Sequence, residues 1–445
     1  MYPDTNKVLG LLMRKDRMEP SERSSVLFCY FAQWFTDSFL RKHPLDPRRT
    51  TSNHEIDLCQ IYGLDEPSTW ALREGSDGRL KIRIMNGEEY PPLLYKDGNL
   101  DTQFFDDKAE VGLSFLRAGR APLWEKAVNE QSDNALTKPD RRDYFYASGL
   151  DRAGSTVAYS AFNIIFLREH NRIAKLISEG EPSWDDDRIF ETARLVNIRQ
   201  ILSVVVNDYI RHIAGVFPFE LETGFAESQP WYRTNRISIE FNLLYRWHSL
   251  IPEELELEDG CNINFKDYRF NNKLLEEVGI ESLISAASAQ KAGCYGLFNT
   301  PSFMKEAELG GLKWARMFGV QPFNRYRERF GLDAYYSFDA LTGGNRDVTN
   351  ALKAVYSDVN DVEFTIGLLA EGRGEGELMP ETVTRMVAYD AFTHILTNPL
   401  LASEIHTPAT FSKVGWDIIQ ESATLEQIVK RNVQRPNAVT VSLAV

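Results

Sequence analysis

The chain has 445 residues, of which 43% are apolar, 12% aromatic and 26% charged. This balance is typical of a globular protein with a large core and excludes a disordered or fibrous chain. Fifty Lys and Arg against 64 Asp and Glu give a net charge of −14, which argues against a main role in binding nucleic acid or anionic lipid. The longest apolar runs fall far short of the roughly 20 residues that cross a bilayer, so we expect no transmembrane segment.

The location and domain organisation follow from features spread over the whole chain. The four cysteines are widely separated and form no CxxC pair, which favours a reducing compartment over a disulfide framework. The first residues carry a charge every few positions, unlike a signal peptide. We therefore expect a cytoplasmic protein, at most peripheral at membranes. No internal repeat or low-complexity linker is present, and we expect a single domain over residues 1–445.

The N-terminal third is predicted to contain one buried helix and one hairpin. Leu27–Leu40 is apolar on most faces, which is typical of a buried helix whose few polar side chains need partners. Arg79–Tyr90 alternates and turns at Asn86–Gly87, the strongest short hairpin signal. Asp101–Arg142 has no sustained period and is predicted as loops and short helices.

The rest of the chain has helical periodicity. Core helices are predicted from Ser155 onward, over Ile189–Gly215 and over Arg236–Trp247. Within the first of them, Arg168–Arg172 is polar or charged at every position, which is typical of a solvated helix face. Further helices are predicted over Asn272–Ala287, Pro301–Arg316, Phe323–Phe330 and Val362–Leu369. The fold class is therefore mainly α with one short β-hairpin.

No strong local catalytic motif is present: the sequence lacks HExxH, a Walker loop, GxSxG and a GxGxxG after a strand. Phe241, Tyr245 and His248 lie at i, i+4 and i+7, which predicts that they share one helix face. Two interpretations of this face stay open. Periodicity alone favours a core tyrosine and a hydrogen-bonded core histidine, and a ligand role is the alternative.

Two polar residues lie within the apolar helix predicted over Leu27–Leu40. Gln33 and Asp37 are spaced i, i+4 and are predicted to form one small polar face. This face is either a hydrogen-bonded buried contact or a polar patch over a cofactor, and the spacing favours the first.

Nine separated segments, in the same order along the chain, resemble the catalytic domain of the prostaglandin endoperoxide synthases (cyclooxygenases) in the animal-type haem peroxidase superfamily. The segments are Phe31–Phe39 (FAQWFTDSF), Asp57–Gly63, Lys81–Pro92, Leu167–Arg172 (LREHNR), Asp208–Gly215, Arg236–His248 (RISIEFNLLYRWH), Pro322–Gly331, Glu363–Leu369 and Thr397–Ile419. The resemblance implies many helices packed around a central haem b, one per chain. It begins part-way into the family's catalytic domain, so we expect no counterpart of its growth-factor-like and membrane-binding modules or of its carboxylate-binding arginine.

The resemblance also implies roles for individual residues. His248 matches the proximal ligand of the haem iron. Tyr245 matches the tyrosine whose radical takes a hydrogen atom from the substrate, and Tyr209 matches the tyrosine that hydrogen-bonds to it. The remaining positions that match the substrate pocket are Ile210, Phe241, Leu244, Trp247 and Ala391.

Several positions depart from the family pattern. Gln33 agrees with the distal glutamine, but Asp37 stands in place of the distal histidine. A carboxylate over the iron could take the same acid–base role if burial raises its pKa. Ala391, Val216 and His394 replace the acetylated serine, the gating tyrosine and a small glycine. The mouth and the end of the pocket are therefore altered, and arachidonate is not implied as the substrate.

The leading hypothesis is a haem-dependent dioxygenase that uses a Tyr245 radical to convert an unsaturated fatty acid or similar lipophilic substrate and O2 into a hydroperoxide. One alternative is a peroxide-dependent peroxidase or peroxygenase-type tailoring oxidase, with Asp37 as the distal acid–base group. The other is a non-catalytic relative that binds haem or lipid. The sequence leaves oligomerisation open.

Overall fold

The computed structural model describes residues 2–40, 55–104, 141, 143–150, 154–215, 221–234, 236–421 and 423–445. Most of the segment 101–142 and the gating position Val216 lie outside these residues. The described part is mainly α-helical, as predicted. Its first helices are α1 Thr5–Leu12, α2 Val26–Thr36, α3 Cys59–Tyr62 and α4 Glu66–Leu72.

The middle of the chain holds the two longest helices among the described residues. Thr156 caps the first of them by accepting a hydrogen bond from the backbone of Tyr159, and Asp185 caps the second by accepting one from Arg188. The second helix continues through one π-helical segment. The elements are α5 Val157–Gly180, α6 Asp186–Val204, the π-helical segment Val205–Ile210, α7 Arg211–Ala214, α8 Ile239–Leu244, α9 Phe265–Tyr268, α10 Asn272–Val278 and α11 Ile280–Ala289.

The C-terminal third consists of shorter helices. They are α12 Lys305–Met317, α13 Phe323–Arg329, α14 Phe338–Leu341, α15 Arg346–Lys353, α16 Phe364–Ala370, α17 Glu381–Leu396, α18 Pro408–Gln420 and α19 Leu425–Arg431. Short 3-10 turns lie at Phe225–Ser228, His248–Leu250, Ser302–Met304, Val359–Asp361 and Pro399–Leu401. The single helix predicted over Asn272–Ala287 is wrong, because Gly279 has a φ of 83° and separates α10 from α11.

The strands within the described residues form four two-stranded antiparallel pairs. The predicted hairpin is confirmed: β2 Arg83–Met85 pairs with β3 Glu88–Tyr90 across the Asn86–Gly87 turn, where both residues have positive φ. Three further pairs were not predicted, since their strands have two to six residues. They are β1 Pro20–Ser25 with β8 Lys291–Gly293, β4 Tyr95–Lys96 with β5 Asn99–Leu100, and β6 Glu254–Glu256 with β7 Asn262–Asn264.

Helix α5 lies at the centre of the packing. It contacts α2, α6 and α18, and almost all of its first 18 residues are buried. The same hydrophobic cluster includes residues from Val8 to Leu443. Among the described residues, no helix combines the length and apolarity that crossing a membrane would require.

The prediction of a solvated face at Arg168–Arg172 is wrong. Glu169 is fully buried and accepts hydrogen bonds from Arg172 (2.7 and 2.9 Å), Arg431 (3.1 Å) and Asn432 (2.8 Å). Burial alone would raise the pKa of Glu169, but these partners outweigh it and hold the pKa below its ordinary value. The network joins α5 to the C-terminal α19, which a charge pattern in one segment cannot reveal.

We predict that Glu169→Gln lowers the free energy of unfolding by about 3–5 kcal/mol, because it removes the buried charge that pairs with Arg172 and Arg431 and leaves Arg431 only the more distant Glu421 at 3.8 Å. Thermal or urea denaturation measures the change. The stabilisation is complete above the ordinary glutamate pKa and is lost as the pH falls through the lowered pKa of Glu169. Glu179→Gln is the matched control, because Glu179 lies on the same helix in an exposed pair with Lys175 at 3.9 Å. A similar decrease in the free energy of unfolding of Glu179→Gln would contradict the stabilising role of the Glu169 network.

Candidate active site

The segment that carries Tyr245 and His248 is a helix end. Ser238 caps α8 by accepting a hydrogen bond from the backbone of Phe241 at 3.0 Å, and the helix ends at Leu244. The Trp247 indole then donates a hydrogen bond to the Leu244 carbonyl at 2.8 Å. The prediction that Phe241, Tyr245 and His248 share one helix face is therefore wrong, since His248 opens a separate 3-10 turn.

Aromatic rings nevertheless surround Tyr245. Its ring stacks on Trp247, with centroids 4.7 Å apart, and meets Phe241 edge-on at 4.9 Å. Trp247 in turn stacks on Tyr209 at 6.4 Å, and Phe28 stacks on Trp247 at 5.8 Å. The structure thus brings Tyr209, Tyr245 and Trp247 into one aromatic cluster, as the resemblance implies.

Tyr209 reaches this cluster from the π-helical segment. Its hydroxyl is buried and interacts with the hydroxyl of Tyr245. The two phenols are close enough to affect each other's pKa. Burial raises the pKa of Tyr245, the Tyr209 hydroxyl opposes the rise, and the Asp390 carboxylate adds to it. Burial, reinforced by Tyr245, also raises the pKa of Tyr209, so both phenols stay protonated at neutral pH.

His248 has a buried carboxylate partner. Its Nδ1 lies 3.0 Å from Oε1 of Glu308 on α12, and Glu308 is only 6% exposed. Thr300 also donates to this carboxylate oxygen at 3.4 Å. With the Nδ1–H donated to Glu308, the lone pair of Nε2 remains for another ligand. No signal in the sequence links Glu308 to His248, because the two residues lie 60 positions apart along the chain.

Gln33 and Asp37 have different surroundings. Gln33 is exposed although its neighbours Ala32 and Trp34 are buried, and its Oε1 accepts a hydrogen bond from Thr156 at 3.3 Å. Asp37 is 5% exposed and accepts a hydrogen bond from the Tyr159 hydroxyl at 2.9 Å. Both are therefore held by the start of α5, with Gln33 bordering open space and Asp37 enclosed.

Gln33 and His248 offer groups that suit the expected haem. The thiol of Cys29, one helical turn before Gln33, contacts the carbonyl of Leu250 at 3.7 Å, which joins α2 to the turn that carries His248. The His248 side chain is 19% exposed between buried neighbours. An accessible amide and an imidazole nitrogen without a hydrogen-bond partner among the described residues thus lie on segments in contact, and neutral imidazole is a suitable iron ligand.

The remaining pocket positions lie where α8 meets α17. Phe241, Leu244, Ile210 and Trp247 are buried, and Ala391 is partly buried against the same core. His394, on α17, stacks its ring on Phe241 at 5.8 Å and bonds to the carbonyl of Asp390 through Nδ1 at 2.7 Å.

Asp390 was also missed by the sequence analysis. Burial and the nearby Glu240 carboxylate raise its pKa to about 7. No local pattern marks this aspartate, which owes its shifted pKa to packing between α8 and α17. The site near Tyr245 therefore contains one carboxyl group that changes charge near neutral pH.

Comparisons with known proteins support the resemblance. Prostaglandin G/H synthase 1 of Mus musculus is 32% identical over 431 residues, which cover 95% of this chain and 65% of that protein. Prostaglandin G/H synthase 2 of Equus caballus is 29% identical over 441 residues, which cover 97% of this chain and 67% of that protein. The chain thus spans about two thirds of the length of these relatives.

Solved structures share the fold. Fatty acid alpha-dioxygenase of Oryza sativa superposes with a TM-score of 0.77 at 18% identity, over 100% of this chain and 81% of that one. Peroxidase A of Dictyostelium discoideum superposes with a TM-score of 0.74 at 18% identity, over 99% and 91%. The predicted haem peroxidase fold is confirmed.

The sequence model of the animal haem peroxidases matches residues 41–443, nearly the whole chain. The match begins just after the first of the nine segments and spans the other eight. The chain therefore belongs to the animal haem peroxidase family, and this membership implies a haem group.

Proposed function

We propose that the protein is a haem-dependent oxygenase, with one haem b per chain, that converts an unsaturated fatty acid or similar lipophilic substrate and O2 into a hydroperoxide. The observation that carries this proposal is the partly buried Tyr245, stacked on Trp247 and three residues from an imidazole whose Nε2 has no described hydrogen-bond partner. The names of its relatives, prostaglandin G/H synthases and fatty acid alpha-dioxygenases, support the same substrate class.

His248 would hold the iron through Nε2, and Glu308 would fix the ring by accepting the Nδ1–H bond. The buried carboxylate selects the tautomer in which Nε2 is the ligand atom. Gln33, kept in place by Thr156, would offer its amide to the cofactor. When bound, the haem supplies the one-electron oxidant that converts Tyr245 to its radical.

Tyr245 would then act on the substrate carbon. Its raised pKa keeps the phenol neutral, so oxidation must remove a proton together with the electron. The resulting phenoxyl oxygen takes one hydrogen atom from an allylic C–H bond, and O2 adds to the carbon radical. The peroxyl oxygen takes a hydrogen atom back from the Tyr245 hydroxyl, which gives the hydroperoxide and restores the radical.

The surrounding side chains would hold the substrate. Phe241, Leu244, Ile210 and Trp247 present apolar groups to the space around Tyr245, and such linings accept acyl chains. His394 and Ala391 would set the far wall on α17. We therefore expect the position of oxygenation to depend on these α17 residues.

A second candidate function is peroxide-dependent oxidation, and the contact between Asp37 and Tyr159 favours it. The hydroxyl of Tyr159 donates to the enclosed Asp37 carboxylate at 2.9 Å. A positioned carboxylate beside a hydroxyl can pass a proton to and from a peroxide oxygen. This activity would need neither the Tyr245 radical nor O2.

We predict that Tyr245→Phe abolishes O2 uptake with unsaturated fatty acids while the haem spectrum stays unchanged, because the ring stacking is kept and only the hydroxyl is lost. Oxygen-electrode traces and the Soret band measure the two effects. Tyr336→Phe, at a residue that is 89% exposed, is the matched control and should retain full activity. Hydroperoxide formation by Tyr245→Phe at the wild-type rate would refute the radical mechanism.

We predict that His248→Ala removes or shifts the Soret band, and that Glu308→Ala weakens haem binding by about 10–100-fold because the ring loses its anchor. Titration of the purified proteins with haem gives both affinity and stoichiometry. Glu306→Ala, on the exposed side of the same helix, should bind haem like wild type. Equal haem affinity in all four proteins would place the iron elsewhere.

We predict that Asp37→Asn lowers the rate of peroxide-dependent oxidation by about 10²–10⁴-fold, because the amide cannot take up a proton. Peroxidase assays with a chromogenic reductant measure this rate. Tyr159→Phe keeps the carboxylate and should have a smaller effect. Unchanged peroxidase activity in Asp37→Asn would exclude Asp37 as the acid–base group, whereas turnover with peroxide but no O2 uptake in the intact protein would favour the second candidate function.

A further inference from the structure

Tyr159, in the first turn of α5, is a buried phenol that is hydrogen-bonded to a carboxylate. None of the residue is exposed, and its hydroxyl donates to Oδ2 of Asp37 at 2.9 Å. Asp37 follows the last residue of α2 and is itself enclosed. A carboxylate oxygen in this position can accept the phenol proton along the existing hydrogen bond. The pair is therefore arranged for the loss of an electron and a proton together.

Two contacts attach Tyr159 to the helix that borders the expected haem. The backbone N–H of Tyr159 donates to Oγ1 of Thr156 at 3.1 Å, and the Thr156 hydroxyl donates to Oε1 of Gln33 at 3.3 Å. Gln33 and Asp37 are four residues apart, about 6 Å along a helix axis. One turn of α5 thus holds the phenol beside Asp37 and within one helical turn of the amide that borders open space.

Tyr245 has a different set of neighbours. Its hydroxyl interacts with that of Tyr209, and burial raises the pKa of both phenols, so neither is a base at neutral pH. The Asp390 carboxylate acts on Tyr245 through its charge and forms no hydrogen bond with it. Of the two tyrosines, Tyr159 therefore has the better-placed proton acceptor.

We propose that Tyr159 is a second site at which this protein forms a tyrosyl radical, with Asp37 as the proton acceptor. The inference rests on the haem binding of the proposed function, because the electron leaves to the one-electron oxidant that a haem supplies with peroxide. The O–H bond of Tyr159 breaks, the proton forms a bond to Oδ2 of Asp37, and the phenoxyl oxygen keeps the unpaired electron. Both products are neutral, so the step adds no charge to the buried site.

A radical at Tyr159 holds an oxidising equivalent outside the substrate pocket. Tyr159 lies between α5 and the end of α2, whereas the pocket positions lie where α8 meets α17. We therefore expect this radical to form without a lipid substrate and to survive the replacement of Tyr245.

The test uses electron paramagnetic resonance of the haem-loaded Tyr245→Phe protein, frozen rapidly after it is mixed with hydrogen peroxide. We expect a tyrosyl signal that is lost in the double variant Tyr245→Phe/Tyr159→Phe. The matched control is Tyr245→Phe/Tyr356→Phe, which should keep the signal. Tyr356 is also a buried phenol that donates to a carboxylate, Glu363, at 3.0 Å, but Arg316 binds the same carboxylate and favours its ionised form.

Two further proteins test the pair itself. Asp37→Asn in the Tyr245→Phe background should slow the appearance of the signal by at least about tenfold, because an amide cannot take up the proton. Replacement of Tyr159 by 3-fluorotyrosine keeps the hydroxyl and the packing, and provides a test if Tyr159→Phe folds poorly. The signal of that protein should acquire a hyperfine splitting from fluorine.

The inference is overturned if Tyr245→Phe gives no tyrosyl signal, if the signal persists in the double variant with Tyr159→Phe, or if fluorine causes no splitting. In each of these cases, O2 uptake that depends on Tyr245 would leave the proposed function intact. A signal that depends on Tyr159, in a protein whose O2 uptake does not require Tyr245, would support this inference and contradict the proposed function.

Discussion

The hydrogen bond from the Trp247 indole to the Leu244 carbonyl is the contact on which the candidate site depends. It satisfies one of the carbonyls left open where α8 ends. The chain leaves the helix there, so Tyr245 stacks on Trp247 and His248 begins a new turn facing Glu308. A continued helix would have carried the tyrosine and the histidine along one face.

Two buried carboxylates join segments around this helix end that are far apart in the sequence. Glu308 binds the imidazole of His248, and Glu169 gathers two arginine side chains at the far side of α5. Both are acceptors for charged or polarised N–H groups, and both join segments far apart in sequence. The first orients a ligand atom, whereas the second fixes the C-terminal helix against the core. Similar chemistry thus serves function in one place and stability in the other.

Sequence reasoning predicted the mainly helical fold, the hairpin at Asn86–Gly87 and the burial of α2, because each depends on local periodicity or turn chemistry. It could not predict where α8 ends, since Leu244 is a good helix residue and its carbonyl accepts a hydrogen bond from the Trp247 indole, a side-chain contact that periodicity does not reveal. The solvated face assigned to Arg168–Arg172 was wrong because polar residues with distant partners look like surface residues. Glu308 and Asp390 carry no local signal.

The orientation of Tyr209 depends on the number of residues in the π-helical segment Val205–Ile210. Each π turn contains one more residue than an α turn, so the segment rotates everything after it relative to α6. Tyr209 faces the aromatic cluster because of that extra residue, and the identity of the neighbouring side chains does not change this. Loss of a single residue here would turn the tyrosine away while leaving α6 intact. The register of the backbone, and not only the identity of Tyr209, is therefore part of what a family member must inherit to keep this cluster.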